Sequence, residues 1–298
     1  MHTILGILFA LLWSSAAIAT KFGLHSTTPL ALATIRLLLA GSLLFVYIYL
    51  VKKTYRWPRL HEWKPLIILG VLNTTIYLGA IFWALKSISA GLFNLFVTVN
   101  PFIVALLSCI WLKRQVTLKE WIGMMIAGIG LIIATWPSLS TSEANISGLI
   151  ILGIGMLAMA VGSVYFKRVQ LDLPSIVINT WQVIIGGVLL VPITYTLESE
   201  TYFLRMDDYL LGSLIWLVLI ISIATMLLWF YLLKQDAVKA NNWLFLTPIF
   251  GYLLAAIFLN EAITIFDITA TFFVLTGLLL SGNITVSSKQ MKIFKADG

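Results

Sequence analysis

Charged residues are scarce in this sequence of 298 residues, of which they make up only 10%. An average soluble domain carries about a quarter charged residues, so this chain cannot cover a water-exposed surface. Hydrophobic residues make up 60%, the mean hydropathy is +1.02, and there are 11 tryptophans. This composition excludes an ordinary soluble protein and is typical of a helical membrane protein, in which indole rings gather at the two interfaces.

Residues that carry acid–base or metal chemistry are missing from the interior of the apolar runs. The histidines His2, His25 and His61 lie at run ends or in gaps, and a single cysteine, Cys109, excludes an internal disulfide. No aspartate or glutamate lies well inside a run, so the intramembrane titratable group of a proton relay is absent. A membrane-embedded enzyme is therefore a remote alternative, and no metal or cofactor is expected.

Ten apolar runs are long enough to cross a membrane, because a helical span needs about 20 residues. Helices are required, since lipid cannot satisfy open backbone groups and the alternating pattern of a membrane barrel is missing. Only His2 precedes the first run, so we interpret that run as a span and not as a signal peptide. The predicted spans cover residues 3–22, 30–51, 65–85, 92–112, 118–136, 147–166, 176–196, 209–232, 240–259 and 267–287.

Lysine and arginine are unevenly distributed over the gaps between these runs. If the N-terminus is cytoplasmic, the inner gaps and the C-terminal tail hold fifteen of the 19 basic residues, and the outer gaps hold only Lys21, Lys86 and Arg205. Cytoplasmic loops carry such an excess, so both termini are predicted to lie inside. The basic residues form no continuous stripe, which argues against nucleic acid as a partner despite the net charge of +7.

The two halves of the chain repeat each other. Asn94 stands seven residues before Pro101, and Asn241 stands seven residues before Pro248. The chain divides near 137–146, which leaves five spans in each half. Because five is odd, the second half enters the membrane from the opposite side. The predicted fold is an all-α integral membrane protein of ten transmembrane helices in two inverted five-helix repeats.

This division gives three segments. The first repeat covers 1–137, the second covers 147–288, and 289–298 is a basic cytoplasmic tail. Small residues in the fifth and tenth spans are typical of close-packing helix surfaces, so we assign them to structure. They are Gly123, Ala127, Gly128, Gly130, Ala270 and Gly277.

Several short motifs occur along the chain in a fixed order. The first span contains Leu-Trp-Ser-Ser, residues 29–36 read Pro-Leu-Ala-Leu-Ala-Thr-Ile-Arg, spans four and nine each hold a proline, and Phe-Leu-Asn-Glu ends at Glu261. In this order the chain resembles the EamA family of the drug/metabolite transporter superfamily over nearly its whole length. The resemblance implies a bacterial inner-membrane permease or exporter of amino acids and other metabolites. One position departs from the pattern: Arg114 stands 13 residues after Pro101, where Glu261 stands 13 after Pro248, which puts a catalytic role for either in doubt.

Pro101 and Pro248 predict kinks near the middle of spans four and nine. Proline removes a helical hydrogen bond and frees a carbonyl, which in a membrane must find a partner or face a polar cavity. A kink that serves only packing is the alternative. Asn94 and Asn241 lie two turns earlier on nearly the same helical face, and this symmetry favours a cavity.

Polar and aromatic residues in the spans are the predicted lining of a substrate path. A buried carboxamide or hydroxyl must hydrogen-bond, either to a neighbouring helix or to a substrate. A tryptophan either anchors the helix at the interface or offers its π-face to a substrate. The candidates are Trp13, Ser14, Asn73, Tyr77, Asn94, Asn100, Thr225, Asn241, Asn242 and Trp243.

Two charged residues are candidates for charge recognition or coupling. Arg36 lies about six residues into span two, roughly ten ångströms from the outer surface at about 1.5 Å per residue. Its side chain can extend to that surface, or it can act in the interior by binding a carboxylate or fixing the bundle. Its counterpart in the second half is the uncharged Gln182. Glu261 lies at the outer boundary, where with Asp267 it is the nearest carboxylate to the span interior.

These features together predict a secondary transporter that moves small metabolites, in the first place amino acids or related polar compounds, outwards by alternating access. The expected location is the inner membrane, with many passes, and the expected partners are a small-molecule substrate and the lipid bilayer. A monomer is compatible with the sequence. A lipid scramblase or a non-transporting membrane scaffold is the alternative from another class.

Overall fold

The computed structural model describes residues 2–98, 100–112, 117–140, 146–169, 171–235 and 243–280. In these residues the chain is helical, and their only β pairing is an isolated antiparallel bridge between Thr27 and Leu204. The predicted all-α class is therefore confirmed.

The α-helices follow one another through short connections. In chain order they are α1 (His2–Gly23), α2 (Pro29–Phe45), α3 (Leu60–Gly70), α4 (Tyr77–Ala84), α5 (Ala90–Val97), α6 (Asn100–Leu112), α7 (Leu118–Ser140), α8 (Ile146–Val169), α9 (Ser175–Glu198), α10 (Asp208–Ile215), α11 (Met226–Gln235), α12 (Thr247–Leu259) and α13 (Ile265–Leu280).

Wider and tighter turns interrupt several of these helices. A π-helix, Val46–Lys52, extends α2, a second, Val71–Ile76, joins α3 to α4, and a third, Trp216–Thr225, joins α10 to α11. A 3₁₀ turn, Trp243–Leu246, leads into α12. Nothing in the sequence pattern predicts a π-helix, because its apolar spacing is close to that of an α-helix.

Helices of membrane-spanning length account for most of the described chain. Seven are long and apolar enough to cross a membrane, and Ala90–Val104, Thr247–Leu259 and Ile265–Gly277 are apolar but shorter. In the seven, between 33% and 56% of the most apolar window is buried inside the molecule, so each keeps an apolar face for lipid. This pattern is that of a multi-pass membrane protein.

Helix pairs build the core. The closest packing joins α7 to α13 and α2 to α9, and α8 packs on both α4 and α6. In turn, α1 packs on α10, α12 and the Trp216–Thr225 segment, and α5 packs on α12. The largest buried cluster contains Leu32, Phe82, Met156, Leu190 and Leu217, so it joins helices from both halves of the chain.

The contact between α7 and α13 is made by small residues, on the surfaces predicted to pack closely. A Cβ added to Gly277 would overlap the carbonyl oxygen of Gly123, and one added to Gly130 would lie 2.9 Å from the carbonyl oxygen of Ala270. The prediction was wrong for Gly128, where an added Cβ would meet no atom within 4 Å. Gly123, Ala127 and Gly130 are buried and share one helical face, and Gly128 lies off that face.

Candidate functional site

Two of the π-helical segments, Val71–Ile76 and Trp216–Thr225, carry buried polar side chains. Within Trp216–Thr225, Ser222 donates to the carbonyl of Leu217 at 2.9 Å and Thr225 to that of Ile220 at 2.8 Å, each five residues back. These bonds satisfy carbonyls in the widened turns. π-helical turns are rare and occur frequently at functional sites. Thr225, a predicted lining residue, is fully buried and bonds within its own segment.

Arg36 lies in the interior of the bundle. Its side chain is only 7% exposed, and Nε donates to the hydroxyl of Ser222 at 3.3 Å. The guanidinium carbon lies 5.5 Å from the ring centre of Phe82. Tyr77, another predicted lining residue, is buried on α4, which packs against α2. Of the two alternatives for Arg36, the structure favours the interior one, and the sequence analysis missed Ser222, whose signal was a hydroxyl inside an apolar run.

Asn73 occupies the other π segment, Val71–Ile76. Its Nδ2 donates to Oε1 of Gln182 on α9 at 3.0 Å, while its Oδ1 is buried and has no hydrogen-bond partner among the described residues. The carboxamide fits against Gly162 of α8, where a Cβ would overlap it. The neighbouring Thr74 donates to the carbonyl of Gln182 at 2.8 Å. Asn73 therefore joins two helices and leaves one acceptor open.

Ser14 and Asn94 come together where α1, α5 and α12 meet. Ser14 is fully buried and its hydroxyl donates to Ala10 at 2.7 Å and to the carbonyl of Thr247 at 3.1 Å. Asn94, also fully buried, donates to the carbonyls of Ser14 at 3.3 Å and Ala90 at 3.0 Å. Its Oδ1 is buried and finds no partner in the part of the chain that the structure describes. The structure thus brings two predicted residues of the first half together, and the bond from Ser14 to Thr247 joins them to the second half.

Trp13 and Trp243 belong to an aromatic cluster between α1, α11 and the 3₁₀ turn. The ring of Phe9 lies 5.6 Å from that of Trp13 and stacks on that of Trp229 at 4.9 Å, measured between ring centres. Gly6 gives space to the indole of Trp243, which a Cβ there would overlap. Both predicted tryptophans are half-buried, so they pack inside the bundle and keep part of each ring accessible.

Pro101 and Pro248 each occupy the second residue of a helix. Pro101 follows Asn100 at the start of α6, and Pro248 follows Thr247 at the start of α12. Proline suits this position, because the missing N–H would have no helical acceptor there. Each proline thus lies where a described α-helix begins. The turn at Thr98 comes before α6, and the 3₁₀ turn Trp243–Leu246 comes directly before α12.

Asn100 is 5% exposed, and its carboxamide contacts the sulfur of Met156 at 3.9 Å. The remaining two predicted lining residues, Asn241 and Asn242, lie outside the described residues.

Glu261 caps the beginning of α5. Its Oε1 accepts from the backbone N–H of Ala90 at 3.0 Å, and its Oε2 accepts from that of Gly91 at 3.3 Å. Ser89 accepts from Leu92 at the same helix end. A carboxylate is stabilising there, because the N-terminus of a helix carries partial positive charge. The structure thus gives this coupling candidate a role in holding α12 to α5.

Glu198 and Asp207 also cap the beginnings of helices, and each bonds to a residue far away in sequence. Glu198, at the end of α9, accepts from the N–H groups of Leu30 and Ala31 at 2.8 and 3.0 Å, and from the hydroxyl of Thr28 at 2.5 Å. Asp207 caps α10 and accepts from Ser26 at 2.5 Å. The hydrogen bond from Ser26, and to a smaller extent the one from the backbone N–H of Leu210, holds the pKa of Asp207 below its ordinary value. The sequence analysis did not identify Glu198 or Asp207 as capping residues.

A groove of about 580 Å³ opens between α1, α10 and α12. Its walls are apolar except for a few groups, among them Ser15, which accepts a hydrogen bond from the indole N–H of Trp216 at 2.8 Å. The predicted polar lining residues do not line this groove. Leu11, Phe22 and Phe258 are among those that do.

A comparison with protein families places these features in context. The model of the EamA-like transporter family matches residues 2–136 and 146–283, which is nearly the whole chain. The chain belongs to the EamA-like transporter family. Its relatives are named as transporters or efflux pumps, so this EamA-like protein has the role of a membrane transporter. The match also divides at the junction between the two halves.

Relatives of this EamA-like transporter cover it almost from end to end. It is 26% identical to an "Uncharacterized transporter" of Archaeoglobus fulgidus, over 90% of this chain and 94% of the relative. It is 25% identical to "Protein PecM" of Dickeya dadantii, over 94% and 92%. It is 24% identical to a "Probable amino-acid metabolite efflux pump" of Salmonella typhimurium, over 93% of each chain.

The fold of this EamA-like transporter is also found in a solved structure, titled only "Crystal structure of protein". The two agree with a TM-score of 0.66 at 16% sequence identity, over 95% of this chain and 96% of the other. At this identity the likeness establishes the fold alone.

Proposed function

We propose that this protein is a secondary transporter that exports small polar metabolites, most of all amino acids or related compounds, across the inner membrane by alternating access between two inverted repeats. The observation that carries the proposal is the exchange symmetry of the helix contacts. Carriers built from inverted repeats place the substrate near the membrane midplane, at the interface of the repeats.

The proposal needs ten spans. The seven long apolar helices and the three shorter ones support that number. Spans one to ten are then α1, α2 with Val46–Lys52, α3 with α4, α5 with α6, α7, α8, α9, α10 with α11, α12 and α13.

In an inverted repeat, spans one to five correspond to spans six to ten. If each span is replaced by its counterpart in the other half, the observed helix contacts map onto one another. Span three packs on span six through α4 and α8, and the exchanged pair, spans eight and one, packs through α10 and α1. Span four packs on span six through α6 and α8, and span nine packs on span one through α12 and α1. The pairs α2 with α9, α7 with α13 and α5 with α12 exchange into themselves. Such a pattern is expected of a two-fold repeat and supports it.

The π segments obey the same symmetry. When Lys86 is aligned with Lys234, a shift of 148 residues, Val71–Ile76 falls on 219–224, inside Trp216–Thr225. Irregular helix turns at matching positions in both halves support a polar site between them, since such backbone is tolerated at membrane depth only where it is buried or lines a cavity.

The substrate class and direction have independent support. The polar residues Asn73, Tyr77 and Ser222 and the single cation Arg36 lie on helical segments that pack on one another. One cation among polar groups suits amino acids better than a multiply charged nucleotide. The family resemblance and the name of the Salmonella relative support export. A monomer that works with its substrate and the bilayer accounts for the arrangement, and the basic loops and the tail, 289–298, support a cytoplasmic position of both termini.

The experiment is a metabolite screen of cells that overexpress the protein. Export is supported if at least one small polar compound leaves these cells severalfold faster than cells with an empty vector. A variant with Asn94→Ala, expressed to the same level, should export less. If the extracellular metabolites of the two strains are indistinguishable, the proposal is wrong.

A lipid scramblase is the second candidate, and the apolar groove between α1, α10 and α12 favours it, because an acyl chain fits such a groove. Proteoliposomes with a fluorescent phospholipid in both leaflets separate the two functions. A reductant added outside bleaches about half of the dye if no lipid is scrambled. Bleaching well beyond half, in proportion to the protein added, would favour the scramblase.

A further inference from the structure

The guanidinium of Arg36 is a buried charge with no counter-charge beside it. Within the described ranges, its one hydrogen bond is to Ser222 at 3.3 Å. The one ion pair in that part of the chain joins Arg56 to Glu62, well away from Arg36 in the cytoplasmic gap. Only 7% of the Arg36 residue surface is exposed, so bulk water does not replace a partner.

Burial of the unpaired charge of Arg36 destabilises the folded protein. A charge in the membrane interior costs several kcal/mol unless it is paired, and the effective penalty remains of this size after relaxation. The ring of Phe82 at 5.5 Å offsets part of it, since a desolvated cation–π contact contributes about 2 kcal/mol. A guanidinium offers five N–H donors in a planar fork, and the described residues use one.

The carboxylates that could neutralise Arg36 are engaged elsewhere. Glu198, Glu261 and Asp207 bind backbone N–H groups at helix ends on the outer side. A permanent internal ion pair, which would explain the arginine as a structural element, is therefore not formed by them. No described residue supplies the missing negative charge, and a bound ligand can supply it.

The second half shows what a structural pair looks like at the matching place. Gln182, the counterpart of Arg36, lies on α9 and bonds to Asn73 in the π segment Val71–Ile76 at 3.0 Å. Arg36 lies on α2 and bonds to Ser222 in the π segment Trp216–Thr225. The Gln182 pair is neutral and needs no further partner for charge balance. The Arg36 pair has the same geometry with one uncompensated positive charge.

We propose that Arg36 binds the carboxylate of the transported molecule, so that this carrier selects substrates with one carboxylate, such as amino acids and small organic acids. This inference rests on the proposed function and deepens it. The guanidinium fork matches a carboxylate in a two-point hydrogen bond. A phosphate ester carries about −1.5 to −2 at neutral pH and would need a second cation, which the residues around Arg36 do not provide.

Binding of matched ligand pairs to the purified protein in detergent tests the inference. The probes are the proteinogenic amino acids, each beside its primary amide, which has the same side chain and ammonium but no carboxylate. In the wild type we expect at least one amino acid to raise the thermal unfolding midpoint in a saturable way, with the apparent Kd of its amide at least tenfold weaker.

Variants separate recognition from structure. In Arg36→Gln the preference for the acid should disappear, while in Arg36→Lys, which keeps the charge but loses the fork, it should persist with severalfold weaker binding. Thr180→Ala is the matched control: that hydroxyl is fully buried and donates to the carbonyl of Ile176 in its own helix at 2.8 Å, so the variant should keep the tenfold preference for the acid. If Arg36 only fastens α2 to the π segment, Ser222→Ala and Arg36→Gln will both lower the unfolding midpoint and leave the ratio of acid to amide unchanged.

The outcomes are distinct from those of the export screen. Equal binding of acids and amides by the wild type, or an unchanged preference in Arg36→Gln, overturns the inference even if the cells export a metabolite. Export of compounds without a carboxylate also overturns it and leaves the proposed transporter intact. Loss of export with selective carboxylate binding retained would overturn the transporter and keep the binding site.

Discussion

Single buried polar residues divide into those whose hydrogen-bonding capacity is filled by the chain and those that keep part of it open. The donor of Ser14 is used, because its hydroxyl bonds to carbonyls on two helices. Asn94 and Asn73 each have a buried Oδ1 without a partner among the described residues. Arg36 has a charge that no described residue neutralises. A buried acceptor without a partner lowers the free energy of unfolding by about 1–3 kcal/mol. These positions therefore destabilise the fold, and they are suited to bind a substrate.

Asn94→Ala should therefore impair transport more than folding. The change removes the donor to Ser14 and the open acceptor, and we expect the transport rate per molecule to fall at least fivefold while the amount of folded protein falls less than twofold. Thr20→Ala is the control, because that hydroxyl bonds to Ala16 of its own helix at 2.8 Å. Asn241→Ala, at the matched position, should behave like Asn94→Ala. Normal transport by both asparagine variants would identify them as packing residues.

Gly251→Ala tests the contact that holds Asn94. A Cβ at Gly251 would overlap the Asn94 side chain, and such overpacking costs about 1–3 kcal/mol. We expect a clearly lower thermal unfolding midpoint in detergent. Gly153→Ala in α8 is the matched control, since its Cβ would meet nothing within 4 Å and alanine is the better helix former. Equal midpoints for the two variants would contradict the packing described.

Sequence reasoning reached many of these residues but not their partners. The hydroxyl and amide positions were visible as polar letters in apolar runs, and Arg36 as the one cation inside a run. Ser222 and Glu198 bond to groups 186 and 168 residues away. Such pairs depend on which helices become neighbours, and the local pattern holds no information about that.

The carboxylates of Glu198, at the end of α9, and Glu261, after α12, bind the first backbone N–H groups of other helices. The sequence pattern did not indicate that these residues act as caps. Glu198 receives three hydrogen bonds and is 2% exposed. Its counterpart in function, Glu261, binds two N–H groups at the start of α5.

Glu198→Gln should lower stability more than a change at a neighbouring surface carboxylate. Hydrogen bonds to a charged group contribute about 1.5–3 kcal/mol each, and the amide can replace the carboxylate as acceptor only in part. The thermal unfolding midpoint of Glu198→Gln should drop by several degrees. Glu200→Gln, two residues away and exposed, should leave it unchanged. A drop of the same size in both would point to net charge and not to the cap.

Transport should respond mainly to the substrate gradient and little to an imposed pH gradient. Both oxygens of Glu261 are engaged in capping α5, and the predicted spans hold no carboxylate or histidine deep inside. The measurement is pH-jump flux in proteoliposomes, with Glu261→Gln in parallel. A severalfold stimulation by pH that disappears in Glu261→Gln would identify this cap as the coupling group after all.

The predictions about the whole molecule depended on two features of the sequence, the apolar runs and the short motifs. The lengths of the runs predicted a helical membrane protein, and the motifs predicted the EamA family, which the family comparison confirmed. The π-helical segments were not predictable, because the apolar pattern of a run is the same whether its helix is regular or widened. Pro101 and Pro248, in contrast, indicated irregular places in their spans.

Topology reporters test the inverted arrangement. A reporter fused after Gly298 should report a cytoplasmic position, and reporters inserted near 141 and 200 should report external ones, because the inner gaps hold most of the basic residues. Two inverted five-span halves require this combination. A cytoplasmic signal near 200 would contradict the ten-span arrangement.

Alternating access itself is tested most directly by trans-stimulation in proteoliposomes, with a metabolite that overexpressing cells export. A carrier exposes one site to one side at a time, so a loaded site returns faster when substrate is present on both sides. The account predicts that unlabelled compound inside the vesicles accelerates the initial uptake of labelled compound severalfold. Uptake that is the same with and without internal compound would contradict a carrier built from two exchanging halves.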